Sequence, residues 1–193
     1  MLCARMKVVL REYWQDTQGT IMVEAVLSLP LLFWVLAATF EFFEVHRYKS
    51  VREKATFTAA DVLSRENSAV GVTATYMDNL LVLFNEISND DNSNQIRVSV
   101  IRYNAGDDKY EISWSETRGS GPMTPLSTPD VETQHATLPI LNNGEELVLV
   151  ESRSNYDPVF EVGLDKFVVR TRIFSAIRFA PQLCYEGACG PQV

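Results

Sequence analysis

Residues 18–44 read QGTIMVEAVLSLPLLFWVLAATFEFFE, and the architecture turns on how they are read. From Ala25 to Phe40 no residue is charged. Leu27, Leu29, Leu31, Leu32, Phe33, Trp34, Val35 and Leu36 would cover every side of the helix they form. A helix on a soluble core keeps one polar side. About 20 apolar residues in a helix are enough to cross the hydrocarbon of a bilayer. The stretch Thr20 to Phe43 meets that length, at the cost of including Glu24 and Glu41. A carboxylate at the centre of a membrane helix costs about 2.5–3.5 kcal/mol, so it is a functional hypothesis that calls for a partner.

Three readings compete for this segment. In the first it is a secretory signal: Arg5, Lys7 and Arg11 make a basic start, and Leu36–Ala38 offers small residues for cleavage near Ala38. The long stretch before the apolar run and Pro30 within it count against this. In the second it is an uncut anchor, which gives no reason for Glu24. In the third the chain is cut after Gly19, so that Thr20 becomes the new N-terminus and Glu24 its fifth residue. The free α-amine is a cation near neutral pH. A carboxylate inside an apolar helix assembly needs such a cation. Glycine at the cut leaves the backbone open to a protease.

The third pattern resembles the TadE-like family, type IV pilin-like proteins of the tight-adherence (Tad, or Flp) pilus. The residues that carry the likeness are Gly19, Glu24, Pro30, Glu41 and Phe42 within GTIMVEAVLSLPLLFWVLAATFEFFEVHRYKSV. The chain has Gln18 where family members often have Arg, and Ala25 where they often have Phe. The stretch LPILNNGEELVLVESRSNYDPVF is similar to a later part of such proteins. The resemblance implies a minor pilin or pseudopilin that takes part in pilus assembly and adhesion and is not an enzyme. It implies a basic leader at 1–19, cleavage by a prepilin peptidase between Gly19 and Thr20, and pairing of Glu24 with a neighbouring subunit's amine. The expected partners are the bacterial inner membrane, other pilin-like subunits and the pilus assembly platform, with no cofactor. The rival readings are a membrane-anchored periplasmic enzyme, binding or sensor domain, and a secreted protein.

Basic residues flank both ends of the oily segment: Arg5, Lys7 and Arg11 before it, Arg47, Lys49, Arg52 and Lys54 after it. Charge counting therefore does not choose an orientation. The long C-terminal part is of a size that translocates regardless of local charge. It also holds Cys184 and Cys189 in LCYEGAC, spaced for a small disulfide loop. Two free thiols are the alternative. Nearby ligands for zinc are absent from the sequence. A disulfide would put this part in an oxidising compartment, the periplasm, with the N-terminus cytoplasmic.

Beyond Phe43 the apolar residues Val45, Tyr48, Val51, Ala55, Ala59, Val62 and Leu63 recur at helical spacing. One helix from Thr20 to about Arg65 would be roughly 70 Å long. Its first half, 20–43, is the membrane segment, kinked at Pro30. Its second half, 44–66, is an amphipathic stem for a head at 67–193. Within the head, Gly71–Ser88 reads as a second helix with Tyr76, Leu80, Leu83, Phe84 and Ile87 inward. The runs QIRVSVIRY and KYEISWSE flank an Asn/Gly/Asp turn and predict a hairpin. The runs EELVLVESRSNY and KFVVRTRIFSAIRFA predict two more strands, with Leu147 and Leu149 on one side. Residues 117–144, rich in Gly, Pro, Ser, Thr and Asn, predict a long excursion without firm structure. The fold class is therefore α+β, with two helices and about four antiparallel strands.

The remaining composition excludes several functions. The net charge of -8 disfavours nucleic-acid binding, which needs a basic surface. There are two histidines, His46 and His135, and the sequence has no nucleophile elbow, phosphate loop or zinc-helix motif. Asp90, Asn92 and Asn94 offer oxygens, but Gln95 and Ile101 stand where an EF-hand needs Gly and Glu.

Overall fold

The structure, a computed structural model, describes residues 18–67, 71–90 and 94–189. The basic leader up to Thr17, with Cys3, Arg5, Lys7 and Arg11, lies outside the described residues. The fold is α+β. It contains α1 (Gln18–Ser64), α2 (Ala74–Ser88), β1 (Gln95–Asn104), β2 (Lys109–Gly119), a short α3 (Thr128–Val131), β3 (Glu146–Tyr156) and β4 (Phe167–Ala176). The four strands form one antiparallel sheet in the order β2-β1-β3-β4.

The chain forms two compact units. One takes α1 up to Glu44 together with Pro158–Leu164; the other takes Val45–Asp157 and the chain from Asp165 onward. The segment 158–164 thus packs with the apolar part of α1, although by sequence it falls within the head.

In the first unit, α1 is long and apolar enough to cross a membrane, and none of its most apolar window is buried in the chain. It runs through Pro30 without a break. Pro30 removes one backbone donor but leaves helix on both sides.

In the second unit, the rest of α1 turns small residues to the core: Ala55, Ala59 and Ala60 are buried with Leu63. Thr56 is also buried, its Oγ1 2.8 Å from Ser152 Oγ on β3. The expected apolar stripe is therefore corrected. Val62 points outward, while Arg52, Thr56, Ala60 and Ser64 point in. Short side chains and hydroxyls let helix and sheet approach closely, and apolarity alone does not mark them.

Helix α2 begins at Ala74 rather than Gly71. Val72 is held in a bridge to Tyr185. Thr73 then caps the helix, its side chain accepting from the Tyr76 N–H at 3.2 Å. Met77, Leu80 and Phe84 are its buried face, and Tyr76, Leu83 and Ile87 pack at the edge of the core. Asn89 ends it in the left-handed conformation, φ 50°.

Leu147 and Leu149 share one face of the sheet, as the sequence predicts. Strands β1 and β3 are central and buried on both faces. Val98, Val100, Val148 and Val150 join the core under the helices. Ile101, Leu147 and Leu149 join a second cluster with Tyr110, Val131, Leu138 and Leu141. The excursion after β2 therefore has structure: it carries α3 and covers the second face of the sheet. A sheet wetted on one face needs polar alternation, whereas two covered faces accept a continuous apolar run. The segment ELVLV (146–150) is such a run, behind a buried Glu146.

Candidate functional site

The apolar part of α1 carries every residue singled out for assembly. Gly19 and Thr20 lie in its first turn. A Cβ built at Gly19 would meet nothing within 4 Å. Among the described residues, no packing requires a glycine there. Glu24 is exposed, and among the described residues it forms no ion pair. Thr20 and Glu24 are four apart on one helix, so their side chains share a face with Cβ atoms roughly 5–6 Å apart. Around them Ile21, Met22, Val23, Val26 and Leu27 are exposed. The structure thus gathers Gly19, Thr20 and Glu24 within two turns of helix, among apolar side chains that are exposed in the described part of the chain. Pro30 follows on the same helix.

Glu41, the second carboxylate of the segment, is placed quite differently. It is 1% exposed. Its Oε2 accepts the backbone N–H of Phe160 at 3.1 Å. One residue earlier, Phe40 meets the Phe160 ring edge to face at 5.6 Å between centroids. The turn of 158–164 is closed by the Val162 N–H on Phe160 O, 2.9 Å. Sequence reasoning gave Glu41 no role beyond the motif. The partner is a backbone amide more than a hundred residues away, and no side-chain pattern reports it.

Other polar groups of the second unit hold the fold. Asp90 receives the Arg52 guanidinium at 2.6 Å. Arg52 in turn lies 3.1 Å over the Tyr48 ring, and the Tyr48 hydroxyl donates to Asn155 O at 2.8 Å. Burial pushes the Tyr48 hydroxyl pKa up, against the pull of Arg52, so the group stays a neutral donor. Asn94 donates to Asn85 Oδ1 and accepts from Ser154 Oγ. Asp90 and Asn94 are thus engaged with protein groups, and Asn92 lies outside the described residues. Among the described residues no group of His, Cys, Asp and Glu could hold a metal ion. His46 is exposed; His135 packs its ring 5.1 Å from that of Tyr110.

Cys184 and Cys189 are joined in a disulfide. The loop they close is tied to the core on both sides. Val72 donates to Cys184 O at 2.8 Å, Glu186 N–H donates to Val72 O at 2.9 Å, and Trp114 Nε1 donates to Leu183 O at 2.6 Å. The Leu183 N–H reaches the buried Glu146 carboxylate at 3.0 Å.

One further charged cluster lines a cleft of about 520 Å³ on the sheet. Glu151 takes Arg97 at 2.5 Å and Arg172 at 3.6 Å. Arg153 stands directly opposite Arg170 across β3 and β4, and neither has a carboxylate partner among the described residues. Opposed like charges on a sheet cost stability. The loop at one side is pinned by Gln95, which both donates to and accepts from the Met123 backbone.

No protein-family model, curated protein or solved structure matches this chain at a significant level, so the residues and their geometry carry the functional reading alone.

Proposed function

We propose that the chain is a TadE-like minor pilin or pseudopilin of a Tad (Flp) pilus system. The observation that carries this reading is one continuous helix that presents Gly19, Glu24, Pro30 and Glu41 in order and then runs on as the stem of an α+β head. A prepilin peptidase cuts between Gly19 and Thr20. The mature protein sits in the inner membrane with its N-terminus cytoplasmic and its head periplasmic. The exposure of Glu24 among apolar neighbours supports a partner supplied by another subunit. In water a lone carboxylate is satisfied, but in an apolar assembly it requires a cation. The new α-amine of Thr20 on a neighbouring subunit is that cation. Among the described residues nothing lies within 4 Å of a Cβ built at Gly19, which supports access of a protease to that bond. The Cys184–Cys189 disulfide agrees with an oxidising compartment for the head. The protein is a peptidase substrate and a partner of other pilin subunits and the assembly platform.

The test is the N-terminus of the mature protein in its native host, read by mass spectrometry. Thr20 is the expected result. Thr39 or Phe40 would mean a secreted protein, and an intact Met1 would leave an uncut anchor; either outcome removes the peptidase step. Glu24→Ala should abolish or sharply reduce pilus assembly while leaving membrane insertion intact. Normal piliation in that variant would remove the role given to Glu24.

A further inference from the structure

The first unit joins two segments distant in sequence, and their junction lies where the apolar helix ends. A helix of about 20 residues spans the hydrocarbon core. Counted from Thr20, that span ends beside Phe40 and Glu41, the residues that hold Phe160. The loop that carries Phe160 is itself oily: Pro158, Val159, Phe160, Val162 and Leu164 are apolar, and Glu161 is its only charge. Val159 is 66% exposed and Phe160 and Leu164 are partly so. On the helix, Phe40, Phe42 and Phe43 are exposed as well. Single exposed apolar residues need no explanation, but a contiguous patch marks a contact surface. This patch continues the uncovered apolar belt of the helix.

We propose that the β3–β4 loop, residues 158–164, is a second membrane-contact element, seated in the lipid interface against the end of the α1 span. The proposal rests on the reading of α1 as a membrane helix. Its occupant is the lipid of the leaflet into which that end of α1 opens. Backbone placed at the edge of the hydrocarbon must find its hydrogen bonds within the protein. Two N–H groups of this loop do so: Glu41 takes the Phe160 N–H, and Phe160 O takes the Val162 N–H. Glu41 is thereby explained as an acceptor for a loop at interfacial depth, not as a lipid-facing charge. Glu161 limits that depth. It is exposed, and an ionised carboxylate is costly to strip of water, so the loop lies at the headgroup boundary and goes no deeper.

The test uses the full chain in phosphatidylethanolamine–phosphatidylglycerol vesicles, in a Cys3→Ser background and without reductant, so that Cys184–Cys189 stays closed. A bimane label is placed at Val159→Cys and, in a separate sample, at Phe33→Cys. Both sites are exposed, so neither label displaces core packing. Nitroxide lipids carry the quencher either near the headgroup or near the acyl terminus. The proposal expects loss of fluorescence at 159 with the shallow quencher, weaker loss with the deep one, and at 33 a strong loss with the deep quencher. Quenching at 33 without quenching at 159 overturns the loop proposal and leaves the helix reading standing. No quenching at either site overturns both.

Discussion

Glu41→Ala is the substitution whose effect the structure sizes most directly. The side chain is 1% exposed, and its Oε2 lies 3.1 Å from the Phe160 nitrogen. Alanine removes the acceptor and leaves that N–H without it. A donor orphaned in this way costs about 1–3 kcal/mol. At about 1.4 kcal/mol per tenfold, this raises the open population of the 158–164 loop roughly 5- to 150-fold. Amide hydrogen exchange reads that population directly. In detergent micelles, the protection of the Phe160 amide should fall by this factor in Glu41→Ala. Glu41→Gln keeps an oxygen acceptor but loses the charge, so it should fall less. The Val150 amide, in the doubly covered centre of the sheet, should not change in either variant. If Phe160 exchanges as slowly in Glu41→Ala as in the parent chain, the carboxylate does not hold the loop. The interfacial role given to Glu41 would then fail as well.

Two predictions concern the head. Replacing Cys184 and Cys189 by serine opens a loop with a sequence separation of 5. Chain-entropy scaling for so short a loop gives a loss of about 2 kcal/mol, to be seen as a lower denaturant midpoint; an unchanged midpoint would mean the closed loop contributes nothing to the fold. Arg170→Glu sets opposite charges across β3 and β4 where Arg153 and Arg170 now face each other. It should raise stability by about 0.2–1 kcal/mol at low salt, and a loss on thermal melting would contradict the like-charge argument.

Some parts of this fold are legible from local chemistry. The hairpin of β1 and β2 follows from two β-branched runs around Asn104–Lys109, where Asn104 Oδ1 accepts the Gly106 N–H. Helix α2 follows from its apolar spacing, and only its start is displaced, because the bridge from Val72 to Tyr185 is a contact across more than a hundred residues. The excursion after β2 is misread for a similar reason. Val131, Leu138 and Leu141 are too sparse to signal an element, yet together they cover one face of the sheet. Composition reports polar loop residues; it does not report what the few apolar ones touch.

Local residue chemistry already specifies an oily helix over residues 20–43, with one carboxylate near each end, and an α+β head after it. Periodicity and burial cost act within a few turns of chain, so they are written in the local pattern of residues. The difference between the two carboxylates arises from long-range packing. Glu24 stays uncovered, while Glu41 is buried against a backbone amide from the β3–β4 loop. The same acid has opposite surroundings at the two positions, because chain entropy and packing, not local pattern, select which distant loop returns to the helix.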